Sequence, residues 1–369
     1  SKDGRDCPPF DGKCSMIPSV LRGALLPLTL PASWLYSAAV RWRNHRYDVG
    51  HSAIHRLPRP VVSVGNLTVG GSGKTPLVAL VSRYLLDKGR QVAVLSRGYR
   101  RQAASTFRVV CDGKEMLANV EEAGDEPLEL AQSIEGLVVA VGRDRFLAGL
   151  EVMRALNADV FVLDDAFQHR RLYRDLDLVC IDAHESPRDL SLLPVGRMRE
   201  PLTSLNRASG ILWTRWGPRY PSEALASRVL GALRSEVPVF RVRQATRGFT
   251  ALAGREERLV PDGLDGEPVG LLAGIARPAR FEEDLEACGA RVVWSVARRD
   301  HHRWQPAEVV QFVEDAKANG ARAVVTTGKD AVKLGAIGEL SLPLYRMDIE
   351  VDVLEREAFE KLLNSVLPA

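Results

Sequence analysis

From residue 61 onward, short apolar runs alternate with stretches in which apolar residues recur every three or four positions, a pattern that predicts β-strands separated by amphipathic helices. The run Val61-Val62-Ser63-Val64 predicts a strand. Leu77, Leu80, Val81, Tyr84 and Leu85 then mark one face of a helix, with Pro76 tolerated in its first turn and Gly89 as its stop. Residues 91–96, 137–141, 160–163 and 178–181 read as further strands, with a helix over 145–156. Such alternation means a parallel sheet with helices on both faces, and functional residues then belong at the strand C-terminal ends. Polar residues stand there: Ser96-Arg97-Gly98-Tyr99, Gly142-Arg143-Asp144-Arg145 and Asp164-Asp165.

Near residue 240 the texture changes. A strand over 237–243 leads into Gly- and charge-rich sequence up to Pro268, which reads as a hinge or ribbon over 241–267. A second α/β pattern follows, with strands at 268–274, 290–296, 322–327 and 343–349 and helices at 278–288, 306–319 and 354–366. The expected organisation is a first α/β domain over 59–240 and a smaller one over 268–369.

The N-terminal part has a different character. Residues 1–15 are polar, carry Pro8 and Pro9, and read as a disordered leader. In 16–58, the stretch 23–40 has no charge, contains Leu25, Leu26, Leu28, Leu30, Trp34, Leu35 and Tyr36, and is followed by Arg41, Arg43, Arg46, Arg56 and Arg59. A spanning helix needs about 20 apolar residues; this stretch falls just short and holds Pro27 and Pro31. A cleaved signal peptide conflicts with the nucleotide chemistry described below. The remaining readings are an interfacial membrane helix or helix pair, with arginines drawn to anionic lipid at roughly 1 kcal/mol each, and an apolar helix packed on its own core.

Composition narrows the class. The 369 residues are 46% hydrophobic, enough for a sizeable core, and the formal net charge of +3 gives no ground for a nucleic-acid partner. Five scattered cysteines lack the paired spacing of a zinc or dithiol site and suit a reducing compartment. His51 and His55 have metal-like spacing but no third ligand nearby.

The chemistry centres on Gly65-Asn66-Leu67-Thr68-Val69-Gly70-Gly71-Ser72-Gly73-Lys74-Thr75-Pro76, a glycine-rich turn between a strand and a helix. Glycines at 70, 71 and 73 can take positive backbone angles, so N–H groups converge on an anion at a helix start; Lys74 reaches the β- and γ-phosphates and the Thr75 hydroxyl binds Mg²⁺. Thr68 stands where the general pattern has its first glycine. The apolar strand ending in Asp164-Asp165 supplies carboxylates for Mg²⁺, and Gln168 and His169 follow where an adenine or ribose could be gripped. Thr326-Thr327-Gly328-Lys329-Asp330 has the wrong spacing for a guanine reader, which favours ATP. Asp125, in Gly124-Asp125-Glu126-Pro127, suits either a helix cap or a catalytic carboxylate. Asp300-His301-His302 suits either a polar turn or acid/base chemistry.

These motifs occur in one order with Leu192-Leu193-Pro194-Val195-Gly196-Arg197-Met198-Arg199-Glu200-Pro201, Ala273-Gly274-Ile275-Ala276-Arg277-Pro278-Ala279-Arg280-Phe281 and Lys329-Asp330-Ala331-Val332-Lys333. Together they resemble the tetraacyldisaccharide 4′-kinases, the lipid A 4′-kinases, from about Met16 to the C-terminus. Thr68 matches that family's version of the cradle. Three positions depart from it: Ala166 where Gly is expected, Ala276 where Gly or Asn is usual, and Gly328 where Glu is usual.

The resemblance implies a P-loop NTPase-like α/β domain, a smaller α/β domain across a cleft, and an N-terminal membrane-associated helical segment. It implies transfer of the ATP γ-phosphoryl group to the 4′-hydroxyl of an acylated glucosamine disaccharide 1-phosphate lipid, with Mg²⁺, at the cytoplasmic face of an inner membrane. On the matching positions it implies Asp125, His301 and Lys74 as catalytic, Gly70, Gly71, Ser72, Gly73, Lys74, Thr75, Gln168 and His169 at the nucleotide, and Thr75, Asp164, Asp165 and Glu200 at the metal. Asn66, Arg97, Tyr99, Arg143 and Arg199 are implied as substrate or phosphate contacts. A P-loop ATPase or nucleotide switch at a membrane surface, and a scaffold with a degenerate cradle, are the competing classes.

Overall fold

The computed structural model describes residues 19–98, 106–234, 236–252, 258–334 and 337–367, without the side chains of 19–28. The leader expected over 1–15 and the candidate contact Tyr99 lie outside the described residues. The first lobe holds strands β1 (Val61–Asn66), β2 (Val92–Ser96), β3 (Phe107–Asp112), β4 (Val138–Gly142), β5 (Val160–Asp164), β6 (Leu176–Asp182) and β7 (Gly210–Thr214). The second lobe holds β10 (Pro268–Ala273), β11 (Arg291–Ala297), β12 (Ala323–Thr327) and β13 (Leu344–Val353), and the long β8 (Val239–Ala251), with the short β9 (Arg258–Leu259) on it, lies between the lobes.

These strands make one sheet in the order β11-β10-β12-β13-β8-β7-β6-β1-β5-β2-β4-β3, with β9 paired to β8. The first lobe is parallel apart from β3, which runs antiparallel on β4. The first part of the segment expected as a linker is β8: the start of that strand pairs parallel with β7, and residues 242–251 pair antiparallel with β13. The ribbon therefore welds two parallel blocks into one sheet. Its alternation of buried Phe240 and Val242 with exposed Arg241 and Arg243 is a half-buried strand pattern, and Gly248, at φ 146°, breaks it.

Every residue of β1, β2, β4, β5, β6 and β7 is buried, as strands covered on both faces require. On one face, α2 (Lys74–Asp87) sets Leu77, Val78, Val81 and Leu85 against Val62, Val64, Val94 and Val162. Each such side chain contributes roughly 1.5–3 kcal/mol of burial, which fixes the helix start at the end of β1. On the other face, α5 (Arg145–Leu156) covers Ala93, Leu95 and Phe161, and is capped by Asp144. Two shorter helices, α3 (Val120–Ala123) and α4 (Asp125–Ser133), bring Asp125 to the edge of the interlobe cleft. The second lobe repeats the plan with α7 (Pro278–Glu286), α8 (Pro306–Ala318) and α9 (Gly328–Leu334), whereas α10 (Arg356–Asn364) returns to the first-lobe core, where Phe359 packs on Phe240, and α6 (Glu223–Leu230) packs beneath β7.

At the N-terminus, Ser19–Asp48 is one continuous helix, α1, rather than a pair, despite Pro27 and Pro31. No helix among the described residues is long and apolar enough to cross a membrane.

Candidate active site

β1 ends at Asn66 and α2 begins at Lys74, and the loop between them is held from inside. Asn66 Nδ2 donates to Thr68 O at 2.9 Å and to Ser72 Oγ at 2.7 Å, and Thr214 Oγ1 donates to Ser72 O at 2.9 Å. Gly70 and Gly73 have φ of 99° and 72°, the left-handed region open to glycine; Gly71 does not use that freedom. A Cβ at Gly70 would stand 2.3 Å from Arg197 Nη2, the movable end of a side chain, so it is the backbone angle that calls for glycine there. The result is a rigid turn that ends at a helix N-terminus with Lys74 and Thr75 in its first turn.

The neighbouring strand β5 delivers the carboxylates. Asp164 is 1% exposed; Ser96 Oγ donates to its Oδ2 at 2.9 Å, while its Oδ1 is buried without a hydrogen-bond partner. Burial, with the charges of Glu126 and Asp165 adding to it, pushes the Asp164 carboxyl up to about 7. For Asp165, burial would act the same way, but the Lys74 ammonium at 3.6 Å and the Arg199 guanidinium outweigh it and hold the carboxyl well below the usual range. Arg199 clasps Asp165 in two-pronged fashion at 2.7 and 3.0 Å and also donates to Asn66 Oδ1. A buried carboxylate with an unpartnered oxygen fits a divalent cation. Asp165 takes the left-handed φ of 48° in this turn, whereas Ala166 does not, so a Cβ at 166 brings no backbone strain.

Several residues implied at the site have other partners. Asn66 is fully buried and braces the loop. Gln168 Nε2 donates to Asn66 O at 2.8 Å, and burial, helped by the Arg145 charge, lowers His169 to about 4. Both sit behind the cradle in the β5 turn. Glu200, implied as a metal ligand, is fully buried, and its carboxylate is taken up by Arg43, by Arg207 at 2.8 Å and by Asn44 Nδ2 at 3.3 Å. Two guanidiniums neutralise it, and it serves as an anchor for α1. Arg97 and Arg143 are exposed at the ends of β2 and β4, facing the open end of the sheet. Sequence reasoning missed Arg145, whose buried guanidinium interacts with Asp164 and Asp165; its place directly after Asp144 at a strand end was the available signal.

Across the cleft the two lobes meet at Asp125. Gly124 precedes α4 as its cap residue, and Asp125 Oδ1 accepts only the Glu126 N–H, at 3.1 Å, from its own helix. His301 Nδ1 lies 2.8 Å from Asp125 Oδ2 and 3.0 Å from Oδ1. His301 itself takes a left-handed φ of 64°, a strained conformation for a residue with a Cβ, in the turn after β11. Burial would raise Asp125, but the His301 hydrogen bond and the ammoniums of Lys329 and Lys333 outweigh it and lower the carboxyl. His302 is turned away, with Nε2 2.9 Å from Glu308 Oε2. Lys329 and Lys333 of α9 had no role in the sequence reading, although their motif was visible.

Gly328 has a local explanation. A Cβ there would lie 2.3 Å from Glu129 Oε1, so the α4 carboxylate already fills the space of a side chain at 328.

Helix α1 faces the protein with its polar side. Ser33 Oγ donates to Leu192 O at 3.2 Å, Tyr36 Oη to Arg199 O at 2.9 Å, and Asn44 and Arg43 reach Glu200. Trp34, Leu35 and Trp42 face outward at 76%, 74% and 63% exposure, beside exposed Arg41 and Arg46.

A braced glycine-rich loop leading into a lysine-threonine helix start, with paired carboxylates on the next strand of a parallel sheet, defines a P-loop nucleoside-triphosphate protein. Residues 25–368 match the family of tetraacyldisaccharide-1-P 4′-kinases, LpxK, and the chain belongs to that family. It is 39% identical over 356 residues to the tetraacyldisaccharide 4′-kinase of Geobacter sulfurreducens, covering 94% of each chain. To the enzyme of that name from Anaeromyxobacter dehalogenans it is 42% identical over 331 residues, covering 87% of this chain and 86% of the relative. Among solved structures, LpxK of Aquifex aeolicus, crystallised in complex with ATP, superposes with a TM-score of 0.75 at 30% identity, over 94% of this chain and 100% of the other.

Proposed function

We propose that this protein transfers the γ-phosphoryl group of ATP to the 4′-hydroxyl of a tetraacylated glucosamine disaccharide 1-phosphate, working at a membrane surface. The observation that carries the reading is the Asp125–His301 contact. It sets a carboxylate kept ionised and an imidazole at the mouth of the cleft between the cradle lobe and the second lobe.

In this reading the cradle N–H groups and Lys74 bind and orient the triphosphate, and Lys74 exchanges its Asp165 partner for phosphate oxygens. Thr75, Asp164 and Asp165 would hold Mg²⁺, which would neutralise phosphate charge. Arg199 keeps Asp165 aimed, and Ser96 does the same for Asp164. Asp125 accepts the proton of the attacking hydroxyl: the O–H bond breaks, the oxygen bonds to the γ-phosphorus, and the bond to the β-phosphate oxygen breaks to release ADP. Arg97 and Arg143 are placed for anionic groups of substrate or nucleotide.

The outward apolar face of α1 supports membrane docking. A helix that spends its polar groups on its own protein and shows two tryptophans and a leucine to the outside is arranged for the headgroup region, with Arg41 and Arg46 facing anionic lipid. Where ATP is available, that surface is the cytoplasmic face of the inner membrane. The test is incubation with Mg-ATP and the tetraacyldisaccharide 1-phosphate in mixed micelles. A lipid product heavier by one phosphoryl group supports the reading, and ATP hydrolysis without it overturns the reading in favour of a nucleotide switch.

A further inference from the structure

Lys329 lies at the second position of α9, immediately after β12, and its side chain points across the cleft into the acidic start of α4. Its Nζ is 3.1 Å from Glu126 Oε1, 3.0 Å from Asp300 Oδ1, 3.4 Å from His301 Nε2 and 4.0 Å from Asp125 Oδ2. An ammonium has three N–H donors and no lone pair. Two donors go to carboxylates, and the third has the His301 ring nitrogen in reach. Nε2 also has Asp300 Oδ2 at 3.6 Å, but the ammonium is nearer; a nitrogen that accepts from that ammonium carries no proton, which leaves the ring proton on Nδ1. Nδ1 is the atom 2.8 Å from Asp125.

We propose that Lys329 is a positioning residue for phosphoryl transfer: it fixes the His301 proton on Nδ1, where it is donated to Asp125, and ties the second lobe to the first at that point. The inference rests on the reading of Asp125 as the base. His301 then acts as a donor that orients Asp125. Asp125 is the group that takes the hydroxyl proton.

The charges around Asp125 come from three elements. Helix α4 supplies Glu126 and Glu129, α9 supplies Lys329, Asp330 and Lys333, and the turn after β11 supplies Asp300 and His301. Lys333, 3.9 Å from Asp125 Oδ2, is itself paired with Asp330 at 2.7 Å. Lys329 is thus a cation paired with Glu126 and Asp300 near the base. Its loss removes a positive charge that holds the Asp125 carboxyl down, which raises that carboxyl and moves the acid limb of the kcat profile to higher pH.

The experiment compares wild type, Lys329→Met and Lys329→Arg, with ¹⁵N-histidine spectra assigned by loss of the His301 signal in His301→Gln, and with kcat against pH. The expected result is an Nδ1–H tautomer in wild type and its loss or mixing in Lys329→Met. In that variant kcat falls by about 10- to 100-fold, as when other partners that fix an imidazole are removed, and the acid limb moves up. Lys329→Arg keeps the limb near its wild-type position, which also covers a Met variant that does not fold. A purely structural tether predicts lower kcat with tautomer and limb unchanged, and that outcome overturns the proposal. An unchanged tautomer together with an inactive Asp125→Asn overturns this inference alone, whereas an active Asp125→Asn overturns the base assignment whatever the tautomer.

Discussion

Replacing Asp125 with Asn separates a catalytic carboxylate from a helix cap, because the change keeps size and one acceptor oxygen but removes the charge and the basic site. As a cap, Asp125 does little in this structure: its only helix bond is to the Glu126 N–H at 3.1 Å, which is worth at most about 1 kcal/mol. As a charge it does more. Two ammonium nitrogens lie 4.0 and 3.9 Å from Oδ2, and each pair carries a gross attraction of about 4 kcal/mol at the effective dielectric of a protein surface. Burial at 6% exposure opposes this, and the carboxyl still ends below its usual range, so the balance is a small net stabilisation. Its sign follows from the direction of the shift: the contribution is present above the ordinary carboxylate range and fades as pH falls through the lowered value. Asp125→Asn should therefore cost on the order of 1 kcal/mol of stability and leave ATP affinity nearly unchanged. The base role predicts a fall in kcat of about 10²-fold or more. The assay is initial-rate phosphorylation at saturating ATP, with calorimetric ATP binding and a melting curve on the same sample. His301→Ala should also lower kcat, and the double variant should lose less than the product of the single losses because the two groups act as a unit. A folded Asp125→Asn protein with wild-type kcat refutes the argument, and strictly multiplicative losses refute the coupling.

Three further outcomes are expected. Lys74→Ala should abolish nearly all transfer while leaving the fold intact, since catalysis in this class is mostly positioning and charge stabilisation; a folded variant with normal turnover contradicts the cradle assignment. Changing Trp34 and Trp42 to Glu should weaken flotation with anionic liposomes yet leave α1 docked, because its body-facing bonds come from Ser33, Tyr36, Arg43 and Asn44; unchanged flotation removes α1 from the membrane reading. Glu129 is pushed up to about 7 by burial and then by the charges of Glu126 and Asp125. Wild type should thus lose about 1–3 kcal/mol as pH rises from about 5 to about 8, and Glu129→Gln should be spared that loss. Thermal unfolding at both pH values measures it, and equal pH dependence in the two proteins contradicts it.

The parallel block was legible because its strands are buried on both faces and so read as unbroken apolar runs, while the Gly-Lys-Thr turn marked where β1 meets α2. What escaped was structure whose signal is weak or long-range. Past Arg243, β8 read as a ribbon because exposed Ala245 and Arg247 alternate with half-buried polar Gln244 and Thr246, and only its pairing with β13 makes it a strand. α1 read as a possible helix pair because Pro27 and Pro31 interrupt the pattern, yet it is continuous. At the site, residue type could suggest a ligand but not its partners: Glu200 has a carboxylate's chemistry, and Arg43 and Arg207, 157 and 7 positions away along the chain, pair with it. The same limit hid Lys329, whose contacts with Glu126 and Asp300 exist only once α9 meets α4.

The most direct test of the central claim is the identity of the product. After incubation with γ-labelled Mg-ATP and a tetraacyldisaccharide 1-phosphate, the lipid is isolated and the position of the new phosphate is read by ³¹P–¹H correlation and mass. A second monoester on the 4′-oxygen, formed in step with ADP, is the predicted result. ADP formed with the lipid unchanged, or a phosphate on any other hydroxyl, would contradict it.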